Sequence, residues 1–219
     1  SLSDRRIEFI GNSITCGYGV EDTEKISPFR DETSNHYYTY ATRTAQALGA
    51  GHVTVARSGI GVYRNYNGPK TGDKINMNTE YLYTNLYDHT ENWDFSRYIP
   101  QLVCINLGTN DTSTTGADPK LLTKGYKDLY LKVRKVYPQA KIVFLCGSMM
   151  NGDALVLAKK SMDTVVSEAH KVGDKEVYRF DFTPQNGSLG YGASWHPSYA
   201  QHEKMAQELI PYLRNLMGW

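Results

Sequence analysis

Cysteine is scarce in this chain: Cys16, Cys104 and Cys146 are the only three in 219 residues. An odd count excludes a complete disulfide framework, and no C-x-x-C pair is present to build a zinc cluster. Cys104 and Cys146 fall inside apolar runs, which reads as small buried hydrophobes. An excess of charge of either sign is also missing. Lys and Arg total 24 against 23 Asp and Glu, and a formal net charge of +1 offers no field for nucleic acid or an anionic membrane. No apolar run approaches the roughly 18–20 residues of a membrane span. No signal-peptide pattern is visible, because Ser1-Leu2-Ser3 leads directly into a strand pattern. The first residue is Ser, not Met, which leaves room for segments upstream.

What is present suits a folded enzyme or binding domain. With 40% hydrophobic and 21% charged residues, the composition is that of an ordinary globular protein. A chain this long can bury a full core as one domain over residues 1–219, without disulfides or a structural metal. Tyrosine is abundant, with 17 against six Phe, and it gathers in loops, where aromatic faces serve as binding surface as well as packing.

Five short apolar runs, rich in β-branched and aromatic residues, predict strands over 6–10, 52–57, 102–107, 141–146 and 176–182. Helix-period stretches alternate with them over 37–48, 119–136, 154–170 and 198–217. In the second of these, Leu122, Tyr126, Leu129 and Val133 recur at three- and four-residue steps, and Asp118-Pro119 supplies a start signal. Alternating strands and helices predict βαβ units, hence a three-layer α/β/α sandwich on a five-stranded parallel sheet. In such sheets ligands bind outside the carboxyl ends of the strands, so chemistry is expected just after each strand. Two long segments, 20–35 and 62–94, break the rhythm and carry no sustained period. Loops of that length in a compact domain are usually functional or disordered, and Tyr63, Tyr66 and Trp93 argue against disorder in the second.

The residues after the strands then stand out. Gly11-Asn12-Ser13-Ile14-Thr15 follows the first, Ser58-Gly59-Ile60-Gly61 the second and Gly108-Thr109-Asn110-Asp111 the third. Trp195-His196-Pro197-Ser198 precedes the last helix. Taken singly, each of the four is a turn or a cap more often than a site. A P-loop is excluded because no Gly-Lys-[Ser/Thr] follows Gly11, and a Rossmann fingerprint at Gly17-Tyr18-Gly19 lacks its third glycine. Together, a serine, a histidine and donor-bearing loops converge on one sheet edge. Acyl transfer needs that set: a nucleophile, a base and hydrogen-bond donors for the oxyanion. The other five histidines, His36, His52, His89, His170 and His202, read as surface or capping residues.

These four blocks, in this order, resemble those of the SGNH (GDSL-type) hydrolases, with Ser13, Gly59, Asn110 and His196 at the four eponymous positions. A narrower similarity links the stretch from Ile7 to Gly19, Trp93-Asp94-Phe95-Ser96-Arg97-Tyr98, the Ile105–Asp111 block and Trp195-His196-Pro197-Ser198 to carbohydrate esterase family 2. The resemblance implies an SGNH-hydrolase, flavodoxin-like fold and a serine esterase that deacetylates polysaccharides such as xylan or glucomannan. It implies Ser13 as nucleophile, His196 as base, and an oxyanion hole from the N–H groups of Ser13 and Gly59 with the Asn110 side chain. No metal or cofactor is expected. Neither is a nucleic-acid or membrane partner. The family further implies a secreted or cell-surface location and a β-sandwich domain preceding the hydrolase domain, which these 219 residues do not include. Trp195, Tyr63 and Trp93 are the candidate substrate contacts, with Tyr66 beside them.

Two positions depart from the pattern. Asn12 stands where Gly-Asp-Ser is usual and keeps a hydrogen-bonding side chain without its charge. Ser194 and Ala193 occupy the places where a triad aspartate is expected, and neither supplies a carboxylate. Three readings stay open: a dyad whose histidine is oriented by a backbone carbonyl, Asp181 reaching in from another loop, or a serine replacing a native aspartate at 194. Asp111 reads as a hydrogen-bonding strut for the Asn110 loop. Two other functions also remain, a small-ester or lysophospholipid esterase on the same fold and a carbohydrate-binding domain without catalysis.

Overall fold

Side-chain alternation along the central strands sets the layers in the computed structural model, which describes residues 4–20 and 35–219. The described strands are β1 (Arg6–Gly11), β2 (Gly51–Ala56), β3 (Tyr83–Asn85), β4 (Asp88–Asn92), β5 (Leu102–Asn106), β6 (Lys141–Cys146) and β7 (Val177–Asp181). The helices are α1 (Ser13–Cys16), α2 (Tyr40–Ala47), α3 (Met77–Glu80), α4 (Thr109–Thr112), α5 (Pro119–Val136), α6 (Gly152–Lys171) and α7 (Tyr199–Met217). Five strands form a parallel sheet in the order β2-β1-β5-β6-β7. On one face Ile10, Val103, Ile105, Ile142 and Phe144 pack under residues of α5 and α6 such as Leu122, Leu129 and Met162. On the other, Ile7, Phe9, Leu102, Cys104, Val143 and Leu145 pack against α2 and α7. Both faces of the central strands are covered, which is why their sequences read as continuous apolar runs. The result is the expected three-layer α/β/α sandwich.

Local chemistry fixes the element ends. Asp118 caps α5 by accepting the N–H groups of Lys120 and Leu121, and Pro119 occupies the first helical position. The helix expected over 37–48 is broken instead. A 3₁₀ turn covers His36–Tyr38, Thr39 is extended, and its hydroxyl accepts the Thr42 N–H, so α2 begins at Tyr40.

The segment 62–94 holds more regular structure than its sequence predicts. It contains α3 and an antiparallel β3–β4 hairpin. All five residues of β4 are exposed, so no apolar alternation marks it. A buried carboxylate holds the hairpin: Glu80 accepts the Tyr87 N–H at 2.8 Å and His89 Nε2 at 2.9 Å. Another sits under the sheet, where Glu8 accepts the Tyr81 hydroxyl at 2.7 Å and burial pushes its carboxyl up to about 7. The other long segment, 20–35, lies almost wholly outside the described residues.

Candidate active site

β1 ends at Gly11, and Asn12 turns the chain into α1. Asn12 Oδ1 accepts the Ile14 N–H at 3.0 Å, so a neutral amide caps the helix and Ser13 becomes its first residue. The Ser13 hydroxyl, in a side chain with little exposure, lies 2.8 Å from His196 Nε2. Across the ring, Nδ1 faces two backbone carbonyls, Ser194 at 3.1 Å and Ala193 at 3.2 Å. Two acceptors there place the ring proton on Nδ1 and leave the Nε2 lone pair for the Ser13 hydroxyl. Burial pushes the imidazole below its ordinary value, and the two carbonyls act against that shift.

The loop that presents these carbonyls is strained. Ser194 at φ 51° and Trp195 at φ 65° are successive non-glycine residues in the left-handed region. Gly192 N–H donates to the His196 carbonyl at 2.8 Å, and His196 N–H donates to Ala193 at 3.0 Å, which closes the turn around the imidazole. Asp181 takes no part. It ends β7, the outermost strand of the sheet, and pairs with Arg179 at 3.0 Å and Lys159 at 3.7 Å. The aspartate reading at 181 is therefore replaced by carbonyl orientation.

Three further loops complete the cleft, which encloses about 490 Å³. Gly59 lines it at φ +83°, and a Cβ there would meet nothing within 4 Å, so the backbone angle rather than crowding calls for glycine. Asn110, in α4, lines it too and donates one Nδ2 hydrogen to the Ile60 carbonyl at 3.0 Å. An amide nitrogen carries two hydrogens, so the second remains available to a ligand. Met149, Met150 and Ala154, after β6, add apolar surface.

Asp111 braces this arrangement more widely than expected. Fully buried, its carboxylate accepts the N–H groups of Val62, Tyr63 and Arg64 at 3.1, 3.0 and 2.9 Å, joining the loops after β2 and β5. Burial pushes it up to about 6, against the pull of those bonds. Buried Arg64 works from the opposite direction, donating to the carbonyls of Asp111 at 3.0 Å and Ser113 at 2.8 Å. Nothing in the sequence pattern singled out Arg64. Asp111→Ala orphans three buried N–H groups at once and is expected to cost about 2–4 kcal/mol. Urea unfolding reads this directly. A change below about 0.5 kcal/mol would show that the loops hold their form without it.

The aromatic candidates are placed differently from the sequence reading. Tyr63 belongs to the core, 7% exposed, and its hydroxyl accepts the Asp118 N–H, so it does not face the cleft. Trp93 lines a separate groove with Glu8, Tyr81 and Phe95, beside the edge strand β2. Trp195 is half exposed, but its ring rests edge-on against Tyr191 and lies outside the cleft lining. Tyr66, 57% exposed, does line the cleft. Tyr18, which the sequence reading passed over, lies on the His196 ring with centroids 4.1 Å apart. Nor is His202 a surface residue. It is fully buried, accepts the Tyr40 N–H at 3.0 Å and is pushed down to about 3 by burial, so it caps α2 from inside.

Known proteins share this architecture. A cellulase/esterase, CelE, of Acetivibrio thermocellus is 44% identical over 99% of this chain, which spans 26% of that protein. An acetylxylan esterase/glucomannan deacetylase of Cellvibrio japonicus is 32% identical over the whole chain, here 59% of its length. The structure of a family two carbohydrate esterase from Clostridium thermocellum with cellohexaose superposes with a TM-score of 0.95 at 43% identity, over all of this chain and 66% of that one. The chain thus spans about a quarter to two thirds of these relatives. Residues 9–204 match the GDSL-like lipase/acylhydrolase family, and the chain belongs to that family.

Proposed function

We propose that this chain is a serine esterase that removes acetyl groups from acetylated polysaccharide through an acyl-enzyme. The observation that carries it is the 2.8 Å contact between Ser13 Oγ and an imidazole whose other nitrogen is held by carbonyls. Ser13 Oγ attacks the acetyl carbonyl while His196 Nε2 takes its proton. The N–H groups of Ser13 and Gly59 and the Asn110 amide hold the oxyanion. His196 returns the proton to the departing sugar oxygen, and water then releases acetate. Tyr66 in the cleft wall and exposed Trp195 beside His196 are the surfaces proposed for sugar rings. The names of the relatives support the substrate class and, with their greater length, a further domain. A secreted or cell-surface location belongs to the same reading.

Turnover on 4-nitrophenyl esters tests the acyl preference, beside acetate release from acetylated xylan and glucomannan. Acetate is expected to exceed butyrate by tenfold or more. The apolar wall of Met149, Met150 and Ala154 favours the competing small-ester or lipid reading. Equal rates on butyrate and longer esters would move the assignment there.

The dyad makes a separate prediction about residue 194. Ser194→Ala leaves the carbonyl in place and is expected to keep kcat within about threefold, since only a hydroxyl is lost. The base must be neutral to accept a proton, and burial lowers its pKa. Activity should therefore rise with pH through a midpoint below that of an ordinary imidazole, unmoved in the variant. A thirtyfold loss in Ser194→Ala would show that the side chain, not the carbonyl, orients His196.

A further inference from the structure

A triad aspartate does two jobs. It fixes the histidine tautomer, and its charge favours the imidazolium that forms as the nucleophile attacks. Here the carbonyls of Ser194 and Ala193 can do the first, but as neutral dipoles they do less of the second. Burial makes the deficit worse, because it disfavours the charged ring. Among the described residues no carboxylate is hydrogen-bonded to His196. His202, on α7, is itself held neutral by burial.

One group is placed to act on the imidazole from its face. Tyr18 N–H donates to the Ser13 carbonyl at 3.0 Å, which ties it to the nucleophile turn. The Gly19 carbonyl accepts the Ala193 N–H at 3.2 Å, which ties the same stretch to the histidine loop. A Cβ on Gly19 would lie 2.5 Å from that of Ala193, so the approach requires glycine there. Between these two anchors the Tyr18 ring lies over His196 with centroids 4.1 Å apart and planes 31° from parallel. The negative face of an aromatic ring attracts a cation within about 6 Å of its centroid. The Tyr18 hydroxyl is 3.4 Å from Ser194 Oγ, on the strained turn.

We propose that Tyr18 is a positioning residue whose ring face stabilises the His196 imidazolium, taking over part of the work of the absent carboxylate. The proposal rests on the esterase reading and concerns the ring, not the hydroxyl. In the ground state the ring holds the imidazole plane toward Ser13. As the proton arrives, the attraction grows, so it acts on kcat more than on KM.

Tyr18→Phe keeps the ring, and Tyr18→Leu removes it. On 4-nitrophenyl acetate, Tyr18→Phe should stay within about threefold of the native kcat with its acid limb in place. Tyr18→Leu should lose about tenfold in kcat with KM within twofold, and its acid limb should move to lower pH. Tenfold in rate corresponds to about 1.4 kcal/mol. The His196 ring protons, followed by NMR in the Ser13→Ala background, give the same titration without any turnover. Should Tyr18→Leu fail to fold, 4-cyanophenylalanine at 18 keeps the shape and drains the ring face. It should fall between Tyr18→Phe and Tyr18→Leu in both readouts. Native kcat and titration in the ring-less or ring-drained variant would overturn the proposal, as would a Tyr18→Phe variant as damaged as Tyr18→Leu. Absence of turnover by the native chain strikes at the esterase reading instead. An active chain indifferent to the ring strikes at Tyr18 alone.

Discussion

Ser13→Ala is expected to lower turnover on 4-nitrophenyl acetate by about 10⁴–10⁶-fold, the loss typical of removing a serine nucleophile. The cleft lining carries other hydroxyls, among them Ser58 and Thr109, but Ser13 Oγ is the one hydrogen-bonded to His196 Nε2, at 2.8 Å, so removing it takes away the hydroxyl that the base can activate. The fold should survive the change. The α1 cap comes from Asn12 Oδ1, and Tyr18 N–H bonds to the Ser13 backbone carbonyl, so neither anchor passes through the hydroxyl. Unfolding free energies should agree within about 0.5 kcal/mol while activity disappears. A variant that folds and still turns over at more than a hundredth of the native rate would remove Ser13 from the mechanism.

The sheet and long helices were legible because their physics is local and periodic. A strand buried on both faces, such as β6, must be apolar throughout, and its expected bounds coincide with the observed Lys141–Cys146. α5 announces itself by a capping aspartate, a proline and an apolar stripe, and its expected bounds also hold. The β3–β4 hairpin was not legible. Its strands bury almost nothing, and the group that secures it, Glu80, lies outside both of them.

The site divides along the same line. Ser13, Gly59, Asn110 and His196 each follow or precede a periodic element, so parallel topology alone brings them to one edge. Which aromatic would face the cleft depended on loop paths that no period encodes. Tyr63 and Tyr66 are three residues apart, yet one fills the core and the other lines the cleft. The Tyr18 stack needed the Gly19–Ala193 contact, a pairing across most of the chain that no local pattern records. Orientation of His196 was likewise undecidable from a missing aspartate, because carbonyl oxygens occur at every residue and only the left-handed turn at Ser194 selects two of them.

Asn110→Ala should cost about 10²–10³-fold in kcat, the usual loss for one oxyanion donor, or roughly 3–4 kcal/mol of barrier. The reason is geometric. One Nδ2 hydrogen is already spent on the Ile60 carbonyl, which fixes the amide plane beside the loop that carries Gly59, and the other is left for charge that develops during attack. A donor already fixed in the free enzyme needs no reorganisation when the oxyanion forms, so its loss should fall on kcat and leave KM within about threefold. The backbone should hold, because the Asn110 carbonyl is bonded independently by the Ser113 hydroxyl at 2.7 Å and by Arg64 at 3.3 Å. Loss of the Ile60 bond alone should cost about 1 kcal/mol of stability. Asn110→Asp separates the two roles further. It keeps the size of the side chain but sets an acceptor against the Ile60 carbonyl and a negative charge beside the oxyanion, so it should be the poorer catalyst of the two. If Asn110→Ala instead lost about 1 kcal/mol of stability with kcat within threefold, the amide would be a brace for Ile60 and the oxyanion would rest on the backbone donors of Ser13 and Gly59.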